Sequence, residues 1–234
     1  HMSSKSGWFQ EFLSDNPDYQ DIAITMPPDT DLSSITRPRV SPLLTPYQKS
    51  DGQTVHVWTT FSADQIDLNY ASPQTLIRMI EVLLSYVSHG ATTIRLDAVA
   101  YLWKQVGTTS IHLEQTHRVI QLMRLILNEV APQTIIITET NVPHAENISY
   151  FGNGDNEAQQ VYNLTLPPLL LYTMLTPNTR QLRTWINTLS THSDQPTFFN
   201  FHSSHDGIGG RPLAGIFVQA ALPLTTQLVQ ARRG

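Results

Sequence analysis

The 234-residue chain contains no cysteine. That excludes a disulfide framework and any thiolate metal site, and it leaves the redox compartment open, because thiol-free chains occur on either side of a membrane. Charged residues are scarce as well: 14% of the sequence, with 14 Lys and Arg against 19 Asp and Glu for a net charge of −5. No stretch gathers the bases into a patch able to neutralise a run of phosphates, so no nucleic-acid partner is expected. Long apolar runs are missing too. The one from Leu164 to Leu171 is interrupted by Pro167 and Pro168 and falls far short of the roughly 20 residues of a membrane span, so no membrane partner is expected either. Nothing at the start has the pattern of a secretory signal peptide. What is present, 40% hydrophobic residues with 15 prolines and 11 glycines, is ordinary for one large globular domain or two small ones and sets aside disordered and collagen-like classes.

Six of the 15 prolines precede residue 50, and the polar stretches Ser14 to Gln20 and Pro27 to Ser34 break any long periodic pattern. This predicts a loop-rich segment over residues 1–60. A short strand ends it, Thr54 to Thr60, where Val55, Val57 and Thr59 alternate with His56, Trp58 and Thr60. The remainder, 61–234, is more regular. Pro73 to Ser88 carries Leu76, Ile77, Ile80, Leu83, Leu84 and Val87 at helical spacing, with Ser72 as N-cap and Gly90 as the stop. A β-branched run, Thr92 to Asp97, follows. Next come a helix over Gln115 to Val130 with Val119, Leu122, Met123, Ile126, Leu127 and Val130 on one stripe, and an apolar strand over Ile135 to Thr138. A strand near Gln160 to Leu164, a helix over Thr179 to Leu189, a strand near Thr197 to Phe201 and a helix-like stretch from Ala214 to Ala231 continue the alternation. Apolar strands separated by helices predict a parallel α/β sheet with helical crossovers. Four such strands after residue 90 fit either an open sheet or part of an eight-stranded barrel.

Polar residues gather where these strands end: Arg95 and Asp97, then Glu139, then His205 and Asp206. Ligand sites of α/β folds lie at that carboxyl rim. Arg95 and Asp97 are two apart on a strand and so share a face, in a run apolar enough to predict burial. They read equally as a structural ion pair or as a nucleophilic carboxylate kept ionised by its cation. Glu139 reads as a helix N-cap or as a loop carboxylate making backbone hydrogen bonds. Alternatively, its apolar setting raises its pKa and makes it a general acid. One ionised and one protonated carboxyl are what glycosidic bond cleavage uses. The histidines show no helical i, i+4 pair beside a carboxylate, so no metal site is expected.

Taken together, Gln65-Ile66-Asp67-Leu68-Asn69, Arg95-Leu96-Asp97-Ala98, Ile137-Thr138-Glu139-Thr140-Asn141 and Phe201-His202-Ser203-Ser204-His205-Asp206 resemble, in order and spacing, blocks of the α-amylase superfamily, glycoside hydrolase family 13. Tyr101-Leu102-Trp103-Lys104, Gly107-Thr108, Tyr162-Asn163-Leu164 with Leu166-Pro167-Pro168-Leu169, and Asp206-Gly207-Ile208-Gly209 are similar to its sucrose phosphorylase branch, with the glucosylglycerate and glucosylglycerol phosphorylases. The resemblance implies a (β/α)8 TIM barrel, of which this chain would hold about strands 4 to 7. Residues 1–60 would be the domain inserted after strand 3. The strand 3 block itself would lie just before the chain, and His1 is either the histidine of that block or a cloning residue.

The resemblance also implies a retaining glycoside phosphorylase. Asp97 would be the nucleophile, Glu139 the general acid/base and Asp206 the carboxylate holding sugar hydroxyls, with Arg95 and His205 flanking them. Phe61 and Gln65 match positions near the sugar subsites. Arg39, in Arg37-Pro38-Arg39, matches a loop at the acceptor site and is a candidate phosphate ligand, since a guanidinium fork fits phosphate geometry; a solvated loop arginine is the competing reading. Asn141 stands where sucrose phosphorylases carry histidine, a form closer to the glucosylglycerate type. Partners implied are a small sugar and inorganic phosphate, with no metal or other cofactor and a cytoplasmic setting. Competing readings are an α-glucosidase or transglucosidase, and a non-catalytic partial barrel whose open edges and uncovered apolar face make it self-associate.

Overall fold

The computed structural model describes residues 1–189, 196–209 and 211–213; the expected helix over Ala214 to Ala231 lies outside them. The described chain forms two compact units, one of residues 1–90 and 100–116 and the other of 91–99 and 117–234. The expected boundary at residue 60 is therefore not where the compact units divide. The reason is pairing: β1 (Met2–Ser3) runs antiparallel to β4 (Gln65–Ile66), and the Asp67 N–H bonds Trp58 O at 3.0 Å, so the chain just past residue 60 completes the N-terminal unit.

That unit also contains α1 (Gly7–Leu13) and an antiparallel hairpin of β2 (Leu44–Gln48) and β3 (Thr54–Trp58). β3 lies within the strand expected over Thr54 to Thr60, whereas α1 and β2 are ordered elements in a stretch expected to be irregular. α1 is announced locally by Ser6, whose Oγ accepts from the Phe9 N–H at 3.3 Å, but seven residues are too few to show a clear helical period. β2 was hidden by Pro46, which a hairpin edge tolerates. α2 (Pro73–Ser88) has the expected ends: Ser72 caps it, and the chain leaves through Gly90 at φ +91°. A core of Phe9, Phe12, Ile22, Ala23, Val57, Ile66 and Leu68 joins these pieces, with Met79 of α2 packed against it.

The second unit begins at β5 (Thr93–Leu96) and continues through α3 (Glu114–Val130, shared with the first unit at its start), β6 (Ile135–Thr138), α4 (His144–Asn147), β7 (Gln160–Tyr162), α5 (Leu166–Leu175), α6 (Arg180–Ile186) and β8 (Thr197–Phe199). Among the described residues its sheet is parallel throughout, in the order β5-β6-β7-β8. Ile94 pairs with Ile136, and Val161 with Phe198. Consecutive parallel neighbours joined through helices are the expected arrangement. α5 carries no amphipathic period in the sequence, and its Pro167 and Pro168 occupy the first turn, where a proline ring loses no hydrogen bond. On α3 the buried face is Val119, Ile120, Met123 and Leu127, while Val130 of the expected stripe is 60% exposed at the helix end.

Arg124 lies on that buried face at 2% exposure. Its Nε donates to Asn128 Oδ1 at 2.7 Å, and its Nη1 to Thr134 O at 2.7 Å and Gln159 Oε1 at 3.0 Å. Gln159 Oε1 also accepts the Ile136 N–H at 3.0 Å. One guanidinium thus ties α3 to the amino ends of β6 and β7, opposite the rim where the acidic residues stand.

Candidate active site

At the carboxyl end of β5 the chain turns sharply. Asp97 follows the last strand residue, and Ala98 takes φ +45°, a left-handed conformation that costs a non-glycine residue about 1 kcal/mol or more. Arg95 Nη1 meets Asp97 Oδ1 at 2.5 Å, so the two share one face as their spacing predicts. Burial of Asp97 was also expected, and here the structure differs: its side chain is 55% exposed against 30% for Arg95. The apolar run ends at Leu96, and Asp97 stands on the rim, where the backbone is leaving the sheet.

Glu139 is placed next door by strand pairing. Its N–H donates to Leu96 O at 3.0 Å, one step beyond the Leu96–Thr138 pair that closes the β5–β6 ladder. Its Oε2 accepts the Ala98 N–H at 3.0 Å. Glu139 is half-buried, and its carboxyl pKa is raised. Burial is the main cause; the Ala98 N–H opposes it, the Asp97 charge adds to it, Arg95 opposes it and Asp206 adds to it. Glu139 thus accepts a backbone N–H, as one sequence reading expects, and its pKa is raised by burial, as the other expects. Arg95 remains firmly charged, because the hydrogen bond and charge of Asp97, with the Tyr162 hydroxyl, outweigh the effect of its burial.

Asp206 and His205 lie past β8 in a turn closed by Gly207 N–H to Ser204 O at 3.0 Å. His205 Nε2 is 3.3 Å from Asp206 Oδ2, and both side chains are largely exposed. On the same loop Gly209 lies against the loop that follows β6: a Cβ there would come within 3.4 Å of Asn141 Nδ2. Arg95, Asp97, Glu139, His205 and Asp206 all belong to the second unit.

Phe61, Gln65 and Arg39 belong to the first. Phe61 packs edge-on to Tyr101 with ring centroids 5.5 Å apart, and the His1 ring is 5.5 Å from it on another side. Gln65 accepts from Ser62 Oγ at 2.9 Å, and its Nε2 is 3.0 Å from His1 Nε2. Arg39 is exposed on a loop that Arg37 pins by donating to Val40 O and Ser41 O, each at 2.7 Å.

Sequence reasoning passed over two groups of residues. Tyr162 stands in the block Tyr162-Asn163-Leu164 with no role implied by the sequence, yet its hydroxyl contacts Arg95; the signal available is its place at the end of a parallel strand. Asp67 and Lys104 lay in separate blocks, yet form an ion pair at 2.9 Å with side chains 8% and 2% exposed. Asp67 also accepts the Thr60 N–H at 2.6 Å, and Lys104 donates to Tyr101 O. Because removal of one partner leaves a buried charge, Lys104→Ala is expected to destabilise the fold by about 3–5 kcal/mol in denaturant unfolding. A loss below about 1 kcal/mol would show that solvent reaches the pair.

The model of the alpha amylase catalytic domain matches residues 1–207. The chain belongs to this family. His1 falls within the match. Among curated proteins, the glucosylglycerate phosphorylase of Escherichia coli is 52% identical over 231 residues, covering 99% of this chain and 41% of that protein. The glucosylglycerate phosphorylase of Allomeiothermus silvanus is 55% identical over 216 residues, covering 92% of this chain and 39% of that protein. The chain therefore spans about two fifths of the length of these relatives. Among solved structures, the sucrose 6F-phosphate phosphorylase of Thermoanaerobacter thermosaccharolyticum superposes with a TM-score of 0.80 at 23% identity, over 100% of this chain and 48% of that one. The parallel sheet is accordingly part of an alpha-amylase-family (β/α)8 barrel, and the choice between open sheet and partial barrel resolves to the latter. Among the described residues no helix is long and apolar enough to cross a membrane.

Proposed function

We propose that the protein to which this chain belongs is a retaining glycoside phosphorylase that moves glucose from an α-glucoside to inorganic phosphate, with glucosylglycerate as the favoured donor. The observation that carries the reading is the Arg95–Asp97 pair at 2.5 Å beside a half-buried Glu139 held by the Ala98 amide, in a chain half identical to glucosylglycerate phosphorylases. In the first step an Asp97 carboxylate oxygen attacks the anomeric carbon while the glycosidic C–O bond breaks, and Glu139 gives its proton to the departing oxygen. In the second, a phosphate oxygen attacks the same carbon, the Asp97 ester bond breaks and Glu139 takes the phosphate's proton. The two inversions give net retention, and α-glucose 1-phosphate leaves.

Arg95 orients the Asp97 carboxylate. Asp206 and His205 are assigned to sugar hydroxyls, Phe61 and Gln65 to the sugar subsites, and Arg39 to phosphate. The exposed guanidinium of Arg39, on a loop stiffened by Arg37 and Pro38, supports its assignment: a pre-ordered ligand loses less entropy on binding. Residues 1–60 as an inserted domain, the cytoplasmic setting, and self-association of the isolated chain belong to the same proposal.

Incubation of the full-length protein with glucosylglycerate and phosphate should release glucose 1-phosphate. Free glucose at the same rate without phosphate would instead establish the α-glucosidase alternative. Arg39→Ala is expected to raise the KM for phosphate about tenfold or more with little change in donor KM, as loss of a charge-assisted contact requires; an unchanged phosphate KM would return Arg39 to the role of a solvated loop residue.

A further inference from the structure

Behind the Arg95–Asp97 pair runs a line of polar contacts that the proposed mechanism does not use. Tyr162 is the last residue of β7. Its hydroxyl accepts the Arg95 Nε–H at 3.2 Å, and the guanidinium carbon sits 5.1 Å from the centre of its ring. The ring is packed in turn, with centroids 4.9 Å from Phe199 and 5.4 Å from Phe201. The backbone of the same residue is tied as well: Asn147 Nδ2 donates to Tyr162 O at 2.8 Å, and Asn147 Oδ1 accepts from Thr140 Oγ1 at 2.6 Å. Asn147 and Thr140 are both buried, and Thr140 is the neighbour of Glu139.

A guanidinium is planar, with its donors in a fixed fork. With its Nε–H committed to the Tyr162 hydroxyl and its central carbon over the tyrosine ring, the plane loses its freedom to turn, and Nη1 is left at Asp97. Without the hydroxyl, the long arginine side chain regains rotamers that point away from the carboxylate, and the geometry of the 2.5 Å contact is no longer held in advance.

We infer that Tyr162 is a positioning residue that fixes the plane of Arg95 against Asp97, and that Asn147 ties this tyrosine to the strand end bearing Glu139. The buried Thr140–Asn147–Tyr162 line thus holds the ends of β6 and β7 in one register, so that both carboxyls are supported by one set of contacts. The effect on turnover rests on the reading of Asp97 as nucleophile; the hold on Arg95 does not.

The test uses the full-length protein and two readouts. In Tyr162→Phe, which keeps the ring, exchange of the Arg95 Nε–H with solvent, followed by NMR, should speed up about tenfold, as loss of one hydrogen bond requires. The kcat for donor cleavage should fall about tenfold with phosphate KM unchanged, since the reacting geometry and not phosphate binding is disturbed. Tyr162→Leu, which removes the ring too, should fall further on both readouts, and Asn147→Ala should move both in the same direction. Unchanged Arg95 exchange in Tyr162→Phe would overturn the inference, and so would faster exchange with wild-type kcat. If exchange speeds up but the wild-type protein transfers glucose from no α-glucoside, the hold on Arg95 stands and the phosphorylase reading falls.

Discussion

Asp97→Ala in the full-length protein is expected to abolish both turnover and covalent trapping by a fluorinated α-glucosyl donor. The described rim offers two other carboxyls, and neither is placed like Asp97: Glu139 is bound to the Ala98 amide with its pKa raised by burial, and Asp206 stands in an exposed turn. A loss on the order of 10⁴-fold or more follows when a nucleophile that works as part of a unit is removed. Mass spectrometry of the trapped protein is the check. An adduct forming on Asp97→Ala at the wild-type rate would place the nucleophile elsewhere and remove the basis of the retaining mechanism.

Glu139→Gln carries the second large effect, and it has a pH signature. As general acid/base, Glu139 should account for a loss of about 10²–10⁴ in kcat with glucosylglycerate, and much less with α-glucosyl fluoride, whose leaving group needs no proton. Equal losses with both donors would deny it the role. Stability should move the other way. The folded-state pKa of Glu139 lies above its ordinary value of 4.5, mainly through burial, so between the unfolded and folded pKa values the folded chain binds more protons than the unfolded one. Its contribution to stability is then fully present below the unfolded pKa and is lost as pH rises through the folded pKa. Glutamine keeps an oxygen for the Ala98 N–H and never ionises. Thermal unfolding should therefore show Glu139→Gln more stable than the wild type at about pH 7 and equal to it near about pH 3. A variant less stable at neutral pH would mean that the carboxylate, not the acid, is what the site favours.

The longer regular elements were legible because burial imposes a period on the sequence: α2 of the first unit and β6 of the second have the expected bounds, and α3 starts one residue from the expected position. The rest of the first unit was harder to read. α1 and β2 are short, and what holds them is contact between distant positions, such as the Phe9 ring with Tyr47 or the Ser50 N–H with Leu13 O, which no local window contains. Within the candidate site, the acidic residues were readable as strand-end polar groups, and the family resemblance named them. The burial of Asp97 was misjudged because strand composition says nothing about where a strand stops. The partners behind the acids, Tyr162 for Arg95 and Lys104 for Asp67, had no signal in spacing: each meets its target only after the sheet or the hairpin brings together residues far apart in sequence.

The left-handed turn at Ala98 bears on how the acid is recycled. An acid that gives up its proton inside a protein becomes a bare anion unless something awaits it, and water is slow to reorganise in a confined site. A peptide N–H needs no proton supply and does not reorient. It is aimed at Glu139 Oε2 by the turn, which leaves the other oxygen free to carry the proton if Glu139 is the proposed acid/base. In the proposed mechanism the backbone strain at one alanine would thus serve as a standing dipole that brings the energies of the loaded and spent acid closer together, so that neither half of the transfer becomes a trap.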